Sequence, residues 1–148
     1  MMINNCQDII YNELIDSDAA KACKEVKAIL ERIQLSSGIE TDQMFDIKVI
    51  LCELIQNAIQ HGNNCDINKK ICVNVWLQEN NRVLGITVKD QGCGFDPLHT
   101  MDLKSSQIPV CNPIDMDEYG RGLFIVKNLC EYMEFNTSGN AITVTKRL

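Results

Sequence analysis

Glu53 and Asn57 are two polar side chains, four residues apart, in a segment that is otherwise rich in apolar residues. Apolar residues repeat every four positions through that segment, at Ile47, Leu51, Ile55 and Ile59. If the segment is a helix, this stripe faces the core, and Glu53 and Asn57 project together from another face. A carboxylate suits the activation of one hydroxyl group, and an amide oxygen suits a hard cation such as Mg²⁺. By itself, the pattern is also typical of a polar stripe that faces solvent.

A second group, Asp90, Gly92 and Gly94, follows a run of alternating apolar residues. Asp90 has the strand parity of three apolar residues before it, Leu84, Ile86 and Val88. If those residues face the core, the Asp90 carboxylate does so too and must accept hydrogen bonds. The amino group of adenine is a suitable donor, and glycines let the backbone turn sharply and approach a flat ring. An ordinary Asp-Gly turn is the alternative interpretation.

A third group, Gly120, Arg121, Gly122 and Leu123, stands at the start of an apolar segment that is predicted to be a helix. Free backbone N–H groups and the positive end of the helix dipole favour phosphate at such a position. Arg121, between the two glycines, is a candidate to neutralise the terminal phosphate. The sequence lacks the GxxxxGK[ST] pattern of P-loop proteins. A tight turn without a ligand is the alternative.

The elements that must position these groups can be read from periodicity and from turn residues. The first half predicts a strand over 8–15, a helix from caps at 16–18 to about 33, a loop over 34–40, and a helix from 41 to about 61. Thr41 would cap that second helix, and Gly62 would stop it. The second half predicts a hairpin over 71–77 and 84–88, an irregular segment over 96–119, a helix from 120, and strands near 133–136 and 141–145. This order favours an α+β fold, a two-layer α/β sandwich with helices on one face of a mostly antiparallel sheet.

Composition narrows the class of protein. The 148 residues fit one compact domain, so 1–148 is predicted to be a single domain. The net charge of -6 and the lack of a concentrated basic patch argue against direct nucleic-acid binding. No leader-like N-terminus and no run near the roughly 18 apolar residues of a membrane span are present, so we expect a cytoplasmic protein without a membrane partner. Two histidines without a second ligand at metal-site spacing argue against zinc.

Together and in this order, the three groups resemble the N, G1 and G2 boxes of the GHKL superfamily, whose ATP-binding domain has the Bergerat fold. This superfamily includes gyrase, the MutL mismatch-repair proteins and the sensor histidine kinases. The segment from Glu53 to Gly62 resembles the N box, Asp90 to Phe95 resembles G1, and Gly120 to Leu123 resembles G2. The resemblance covers residues 8 to 147. An N box that ends in Asn-Ala-x-x-His-Gly is most similar to the bacterial anti-sigma-factor serine kinases.

The resemblance implies that the chain binds ATP with Mg²⁺. Asn57 would bind Mg²⁺, Glu53 would be the catalytic base or would orient the attacking hydroxyl, and Asp90 would bind the adenine amino group. The implied nucleotide-binding set is Asn57, Asp90, Gly92, Gly94, Gly120, Arg121, Gly122 and Leu123. Residues 96–119 would form the lid over the triphosphate.

The same resemblance implies two protein partners, a sigma factor and an anti-anti-sigma protein of the STAS type, which would be phosphorylated on a serine. A homodimer paired through the N-terminal strand is one option. The sequence departs from the family at 139–143, where Gly-Asn-Ala-Ile-Thr replaces a Gly-Thr-Thr-like stretch, and this puts activity in doubt more than fold. Two alternatives therefore stay open, a non-catalytic ATP-dependent binding module and a stand-alone catalytic domain of the histidine-kinase type.

Overall fold

The computed structural model describes residues 7–92 and 118–148, which form a five-stranded sheet and three α-helices. In chain order the elements are β1 (Asp8–Asp16), α1 (Ala19–Ser37), α2 (Thr41–Asn57), a π-helical turn (Ala58–Gly62), β2 (Lys70–Gln78), β3 (Val83–Lys89), α3 (Glu118–Leu129), β4 (Tyr132–Phe135) and β5 (Ala141–Arg147). The strand order is β1-β2-β3-β5-β4, and every neighbouring pair is antiparallel. The α+β fold predicted from the sequence is confirmed.

The core lies between one face of the sheet and the helices. Three central strands align buried residues in register, for example Val73, Val88 and Ile142. The predicted stripe of α2 and the turn after it is buried at all four positions, Ile47, Leu51, Ile55 and Ile59. On the other face of the sheet, Thr87 and Thr143 are only half-buried, and their hydroxyl groups hydrogen-bond to each other at 2.8 Å. Across 7–92 and 118–148, every helix is too short or too polar to span a bilayer.

The ends of the first two helices differ from the prediction. Asp18 caps α1 by accepting the N–H of Lys21 at 3.0 Å, as expected, but α1 continues past Ile33 to Ser37. The helix ends there because Gly38 adopts a left-handed conformation with a φ of 66°. Thr41 is the first residue of α2 and not its cap, so the prediction of a hydroxyl cap at Thr41 was wrong.

The end of α2 is the largest departure from the prediction. The α-helix stops at Asn57, and residues 58–62 form a π-helical turn that closes when the Asn63 N–H donates to Ala58 O at 2.8 Å. Gly62 does not adopt the left-handed conformation of a helix stop; Asn64 and Cys65 do, with φ values of 51° and 59°. The role predicted for Gly62 was therefore wrong, and another reason is needed for a glycine there.

Trp76 packs across the open face of the sheet, on its neighbour Gly85 in β3. The two residues are paired in the register of β2 and β3, and Trp76 is buried. A Cβ at Gly85 would overlap the indole ring, so the absence of a side chain there is what lets the ring lie flat on the strand. Trp76 also donates from its indole nitrogen to Gln78 Oε1 at 3.2 Å.

We predict that Gly85→Ala lowers the free energy of unfolding by about 1–3 kcal/mol, because the added methyl group must displace the ring. Trp76 is the only tryptophan of the chain, so its fluorescence reports the displacement directly. Gly38→Ala is the matched control: it strains a left-handed position by about 1 kcal/mol but has no atom within 4 Å of the added carbon. Its native fluorescence should be unchanged. An unshifted native spectrum in Gly85→Ala would contradict the prediction.

Candidate functional site

The three groups of residues singled out in the sequence belong to the end of α2, the end of β3 and the start of α3. The structure brings these three places together through glycines. Gly122 of α3 approaches the polar face of α2, and Gly62, after α2, approaches Asp90 at the end of β3. Gly92 in turn approaches the carbonyl oxygen of Gly62. Each contact is too close for a side chain at the glycine concerned.

Gly122 lies directly over the two polar residues of α2. A Cβ at Gly122 would overlap Glu53 Oε2 and would stand 3.6 Å from Asn57 Nδ2. Glu53 and Asn57 therefore reach the same small region from successive turns of α2, as their spacing predicted. Both side chains are half-buried, whereas their neighbour Gln56 is exposed. Because Gly122 has no Cβ, the Glu53 carboxylate can lie against the backbone of α3, and a side chain at 122 would require that carboxylate to move.

Asn57 has an unmet hydrogen-bonding group at this point. Its Nδ2 atom is buried and makes no hydrogen bond to any residue that the structure describes. A buried polar atom without a partner costs about 1–3 kcal/mol, so such an atom in a cleft is a place for a ligand. Rotation of the amide by half a turn exchanges nitrogen and oxygen, so the same position can present the oxygen that Mg²⁺ requires. The donor set at Glu53 and Asn57 thus fits a magnesium–phosphate group.

Asp90 closes a short turn at the end of β3. Its own N–H donates to Asn140 O at 2.9 Å, and its Oδ1 accepts the N–H of Gly92 at 2.8 Å. Burial raises the pKa of the carboxyl group above its ordinary value, while the Gly92 N–H and the charge of Lys69 act to lower the pKa. Asp90 therefore presents a half-buried carboxylate with one oxygen held in the turn, an arrangement suited to accept a hydrogen bond from a ligand.

The position of Asp90 explains why residue 62 is a glycine. A Cβ at Gly62 would overlap the carboxylate, and a Cβ at Gly92 would overlap the Gly62 carbonyl. The glycine after His61 is thus needed for close packing of the π-helical turn on the 90–92 turn, and not for ending a helix. The sequence signal for it was present in the His-Gly pair, but only the fold reveals the contact.

The remaining residues of the predicted nucleotide-binding set lie at the start of α3 or outside the described residues. Gly120 and Leu123 are buried, and the Arg121 side chain is exposed. The described part of α3 begins at Glu118, so Gly120 and Arg121 lie in its first turn and Gly122 follows them. Gly94 and the proposed lid at 96–119 lie outside the described residues, except for the helical backbone of 118 and 119.

Asn140 occupies the place where the sequence departs from the family pattern. Its side-chain oxygen accepts from Asn136 Nδ2 at 2.7 Å, and its N–H donates to Asn136 Oδ1 at 3.0 Å, so the side chain serves the turn between β4 and β5. Its carbonyl oxygen holds the Asp90 N–H. Asn140 therefore supports the site through its backbone, while its side-chain amide is used elsewhere.

Behind the 90–92 turn lies a buried pair of residues, Asn63 and Ser17, to which the sequence analysis gave no role in the site. Both are buried, and Asn63 Nδ2 donates to Ser17 Oγ at 2.8 Å. Asn63 Oδ1 accepts the N–H of Gln91, the residue between Asp90 and Gly92, at 2.8 Å. In the sequence these are one asparagine of an Asn-Asn turn and one member of an Asp-Ser-Asp cap, so nothing local marks them as buried.

We predict that Asp90→Asn leaves the free energy of unfolding at pH 7 unchanged or higher. A raised pKa means that the folded chain binds the proton more tightly than the unfolded chain. The contribution of Asp90 to stability is therefore greatest at low pH and falls as the pH rises from about 4 through the raised pKa. Asparagine removes that loss, and its amide oxygen still accepts the Gly92 N–H.

Urea unfolding of both proteins between pH 4 and pH 7.5 measures the effect. Asp66→Asn is the matched control, because Asp66 Oδ1 also accepts an N–H two residues on, from Asn68 at 2.9 Å, but away from this site. A larger loss of stability at pH 7 in Asp90→Asn than in Asp66→Asn would overturn this account of the carboxylate.

Comparison with known proteins places the chain in a family. Residues 15–146 match the histidine kinase-like ATPase domain. The chain is 29% identical over 113 residues to an anti-sigma F factor of Bacillus velezensis, which covers 72% of this chain and 71% of that protein. It is 27% identical over 128 residues to the serine-protein kinase RsbW of Bacillus subtilis, covering 83% and 76% of the two chains. The family inferred from the three boxes is confirmed: the chain belongs to the histidine kinase-like ATPase domain family.

Proposed function

We propose that the protein is an ATP-binding serine kinase that also acts as an anti-sigma factor, and that it works in a partner-switching circuit. The observation that carries this proposal is the junction beneath Gly122, where Glu53 and the unbonded amide of Asn57 meet. A carboxylate beside a buried, unsatisfied amide at the start of a helix is the set of groups that phosphoryl transfer needs. The names of the relatives support the reaction and the partners.

The nucleotide would lie between the 90–92 turn and the start of α3. Asp90 would accept the amino group of adenine, and the glycines at 62 and 92 would keep side chains out of the space beside its carboxylate. The phosphates would lie at the other end, near the first turn of α3, where the positive end of the helix dipole favours an anion. Gly94, Gly120 and Leu123 complete the proposed binding set, and the lid at 96–119 would cover the triphosphate.

Asn57 would hold Mg²⁺ through its amide oxygen. The fit rests on the unbonded amide and on the nearby Glu53 carboxylate. The chemistry supplied by a bound Mg²⁺ would be positive charge to balance the charge of the phosphate oxygens.

Glu53 would act on the serine that receives the phosphoryl group. The serine oxygen would form a bond to the γ-phosphorus while the bond from that phosphorus to the bridging oxygen breaks and ADP leaves. Glu53 would orient the hydroxyl group and accept its proton. Because the transition state is loose, most of the rate would come from placing these groups and from balancing charge, which suits a site with few polar residues.

The partners would be a sigma factor, held by the protein, and an anti-anti-sigma protein of the STAS type, phosphorylated by it. The relatives named anti-sigma F factor and serine-protein kinase support one partner each. A homodimer remains part of the proposal, since β1 lies at one edge of the sheet. The second candidate function is a binding module that uses ATP without transferring phosphate. It is favoured by Asn140, whose side chain is committed to the β4–β5 turn.

Nucleotide binding and transfer can be separated by variants. We expect the wild-type protein to bind ATP with Mg²⁺ in calorimetry and to label an anti-anti-sigma protein on serine from radiolabelled ATP. Glu53→Gln should bind ATP but lower the transfer rate by roughly 10²- to 10⁴-fold, because the proton acceptor is lost. Asn57→Ala should lose the dependence of ATP affinity on Mg²⁺. Gln56→Ala, exposed on the same helix, is the control and should match the wild type.

The outcomes separate the two candidates. ATP binding with no serine labelling, even with several anti-anti-sigma proteins, would favour the non-catalytic module. Absence of ATP binding in the wild-type protein would overturn both.

Arg121 has a role of its own in the proposal. Its side chain is exposed at the first turn of α3, from which a guanidinium could reach the γ-phosphate as charge builds up. Arg121→Ala should therefore lower the transfer rate by about tenfold or more while ATP affinity changes little. Arg121→Lys keeps the charge and should recover part of the rate. An unchanged transfer rate in Arg121→Ala would remove Arg121 from the mechanism.

A further inference from the structure

We propose that Asn63 is a positioning residue for adenine recognition: its buried side chain fixes the 90–92 turn so that the Asp90 carboxylate meets the adenine amino group. The inference rests on the proposed function, because it assumes that Asp90 binds adenine. It assigns to a residue outside the three boxes the task of setting base specificity.

The Asn63 side chain is fully buried and uses both ends of its amide. Its Nδ2 donates to Ser17 Oγ at 2.8 Å and to the carbonyl oxygen of Lys70 at 3.0 Å, while its Oδ1 accepts the N–H of Gln91 at 2.8 Å. Ser17 extends this hydrogen-bond network, since its hydroxyl donates to Lys69 O at 2.8 Å. One amide thus joins the end of β1, the start of β2 and the residue that follows Asp90.

The 90–92 turn is held by three successive backbone N–H groups. The N–H of Asp90 donates to Asn140 O, that of Gln91 to Asn63 Oδ1, and that of Gly92 to Asp90 Oδ1. The last of these bonds lies within the turn itself. The first is accepted by the backbone carbonyl of Asn140, so Asn63 supplies the side-chain acceptor that comes from outside the turn. Without it, the Gln91 N–H would lose this acceptor, and the Asp90–Gln91 peptide would lose its side-chain anchor to the segment after α2, although Gln91 Oε1 would still accept the N–H of Lys70 at 2.7 Å.

The π-helical turn explains why Asn63 stands at the right place. The Asn63 N–H closes that turn on Ala58 O, and Gly62, the residue before, packs on the Asp90 carboxylate. Gly62 and Asn63 therefore contact the turn from adjacent positions, one by close packing and one by hydrogen bonding. A side chain with one acceptor and two donors is required to satisfy Gln91, Ser17 and Lys70 together, and the amide of asparagine is short enough to do so.

A purely structural role would also explain a buried asparagine, and Ser17→Ala separates the two explanations. Ser17→Ala removes a partner of Asn63 Nδ2 in the same buried network but leaves the bond from Gln91 to Asn63 intact. Asn63→Ala removes that bond. Both variants should unfold at lower temperature than the wild type, and only Asn63→Ala should alter adenine recognition.

The decisive measurement is the affinity for ATP and for ITP, which carries an oxygen in place of the adenine amino group. It is made by calorimetry at a temperature where circular dichroism shows every protein folded. In Asn63→Ala, we expect ATP affinity to fall about tenfold and ITP affinity to change less than twofold, so that the preference for ATP is largely lost. In Ser17→Ala, the preference should stay within twofold of the wild type. Where Asn63→Ala does not fold, Asn63→Ser, whose shorter hydroxyl cannot serve Gln91 and Ser17 together, should show the same loss.

Each outcome decides a different claim. An unchanged ATP-to-ITP ratio in the Asn63 variants, with a wild-type protein that prefers ATP, would overturn the role of Asn63 and leave the proposed function intact. If that unchanged ratio comes with an equal loss of ATP and ITP affinity, Asn63 stabilises the fold of the site without setting base specificity. A wild-type protein that binds neither nucleotide would overturn the proposed function and this inference with it. Amide hydrogen exchange provides a readout without nucleotide: exchange at Gln91 should quicken in Asn63→Ala and stay unchanged in Ser17→Ala.

Discussion

The close packing of Gly62 against the Asp90 carboxylate is the contact on which the rest of the site depends. It brings the π-helical turn onto the end of β3 with no side chain between them, so the two backbones and one carboxylate share the space. A carboxylate in such a place loses part of its hydration, and its raised pKa is the sign of that loss. The ionised carboxyl group is therefore less stable here than in water. Such perturbed groups are common at binding sites, and this supports the role proposed for Asp90.

The other end of the site follows the same physical logic. Gly122 lets α3 begin on top of Glu53 and Asn57, and the Asn57 amide is left without a hydrogen bond among the described residues. Two unfavourable features, the half-buried Asp90 carboxylate and the unsatisfied Asn57 amide, thus lie at the two ends of the proposed site, one at the end of β3 and the other on α2. Between them, the large apolar core of α2 and the sheet supplies the stability that makes both tolerable. A ligand that hydrogen-bonded to both the Asp90 carboxylate and the Asn57 amide would therefore relieve both unfavourable features on binding.

The sequence predicted the parts of this structure that depend on local periodicity. The four-residue repeat of α2 and the two-residue repeat of β2 and β3 gave the right elements, because each repeat places apolar residues on one face. It was wrong at Gly62, which it assigned to a helix stop, and it gave no role to Asn63. Both owe their roles to the 90–92 turn; Asn63 bonds to a residue 28 positions away, and no local pattern records such a contact. The groups of the three boxes were found, whereas the residues that hold them in place were not.

The π-helical turn determines where Gly62 and Asn63 lie, and the sequence pattern did not predict this turn. A regular α-helix through 58–62 would close the Asn63 N–H on Ile59 instead of Ala58, and would turn the residues after it onto a different side. The single wider turn lets Glu53 and Asn57 face α3 while Gly62 and Asn63 face β3. One helix and its distorted end can then align both halves of the proposed nucleotide site: the regular turns of α2 carry Glu53 and Asn57, and the π-helical turn packs on the 90–92 turn. Because a π-helical turn has poorer backbone hydrogen bonds than a regular α-helix, the alignment that it provides here is a physical reason for its presence after α2.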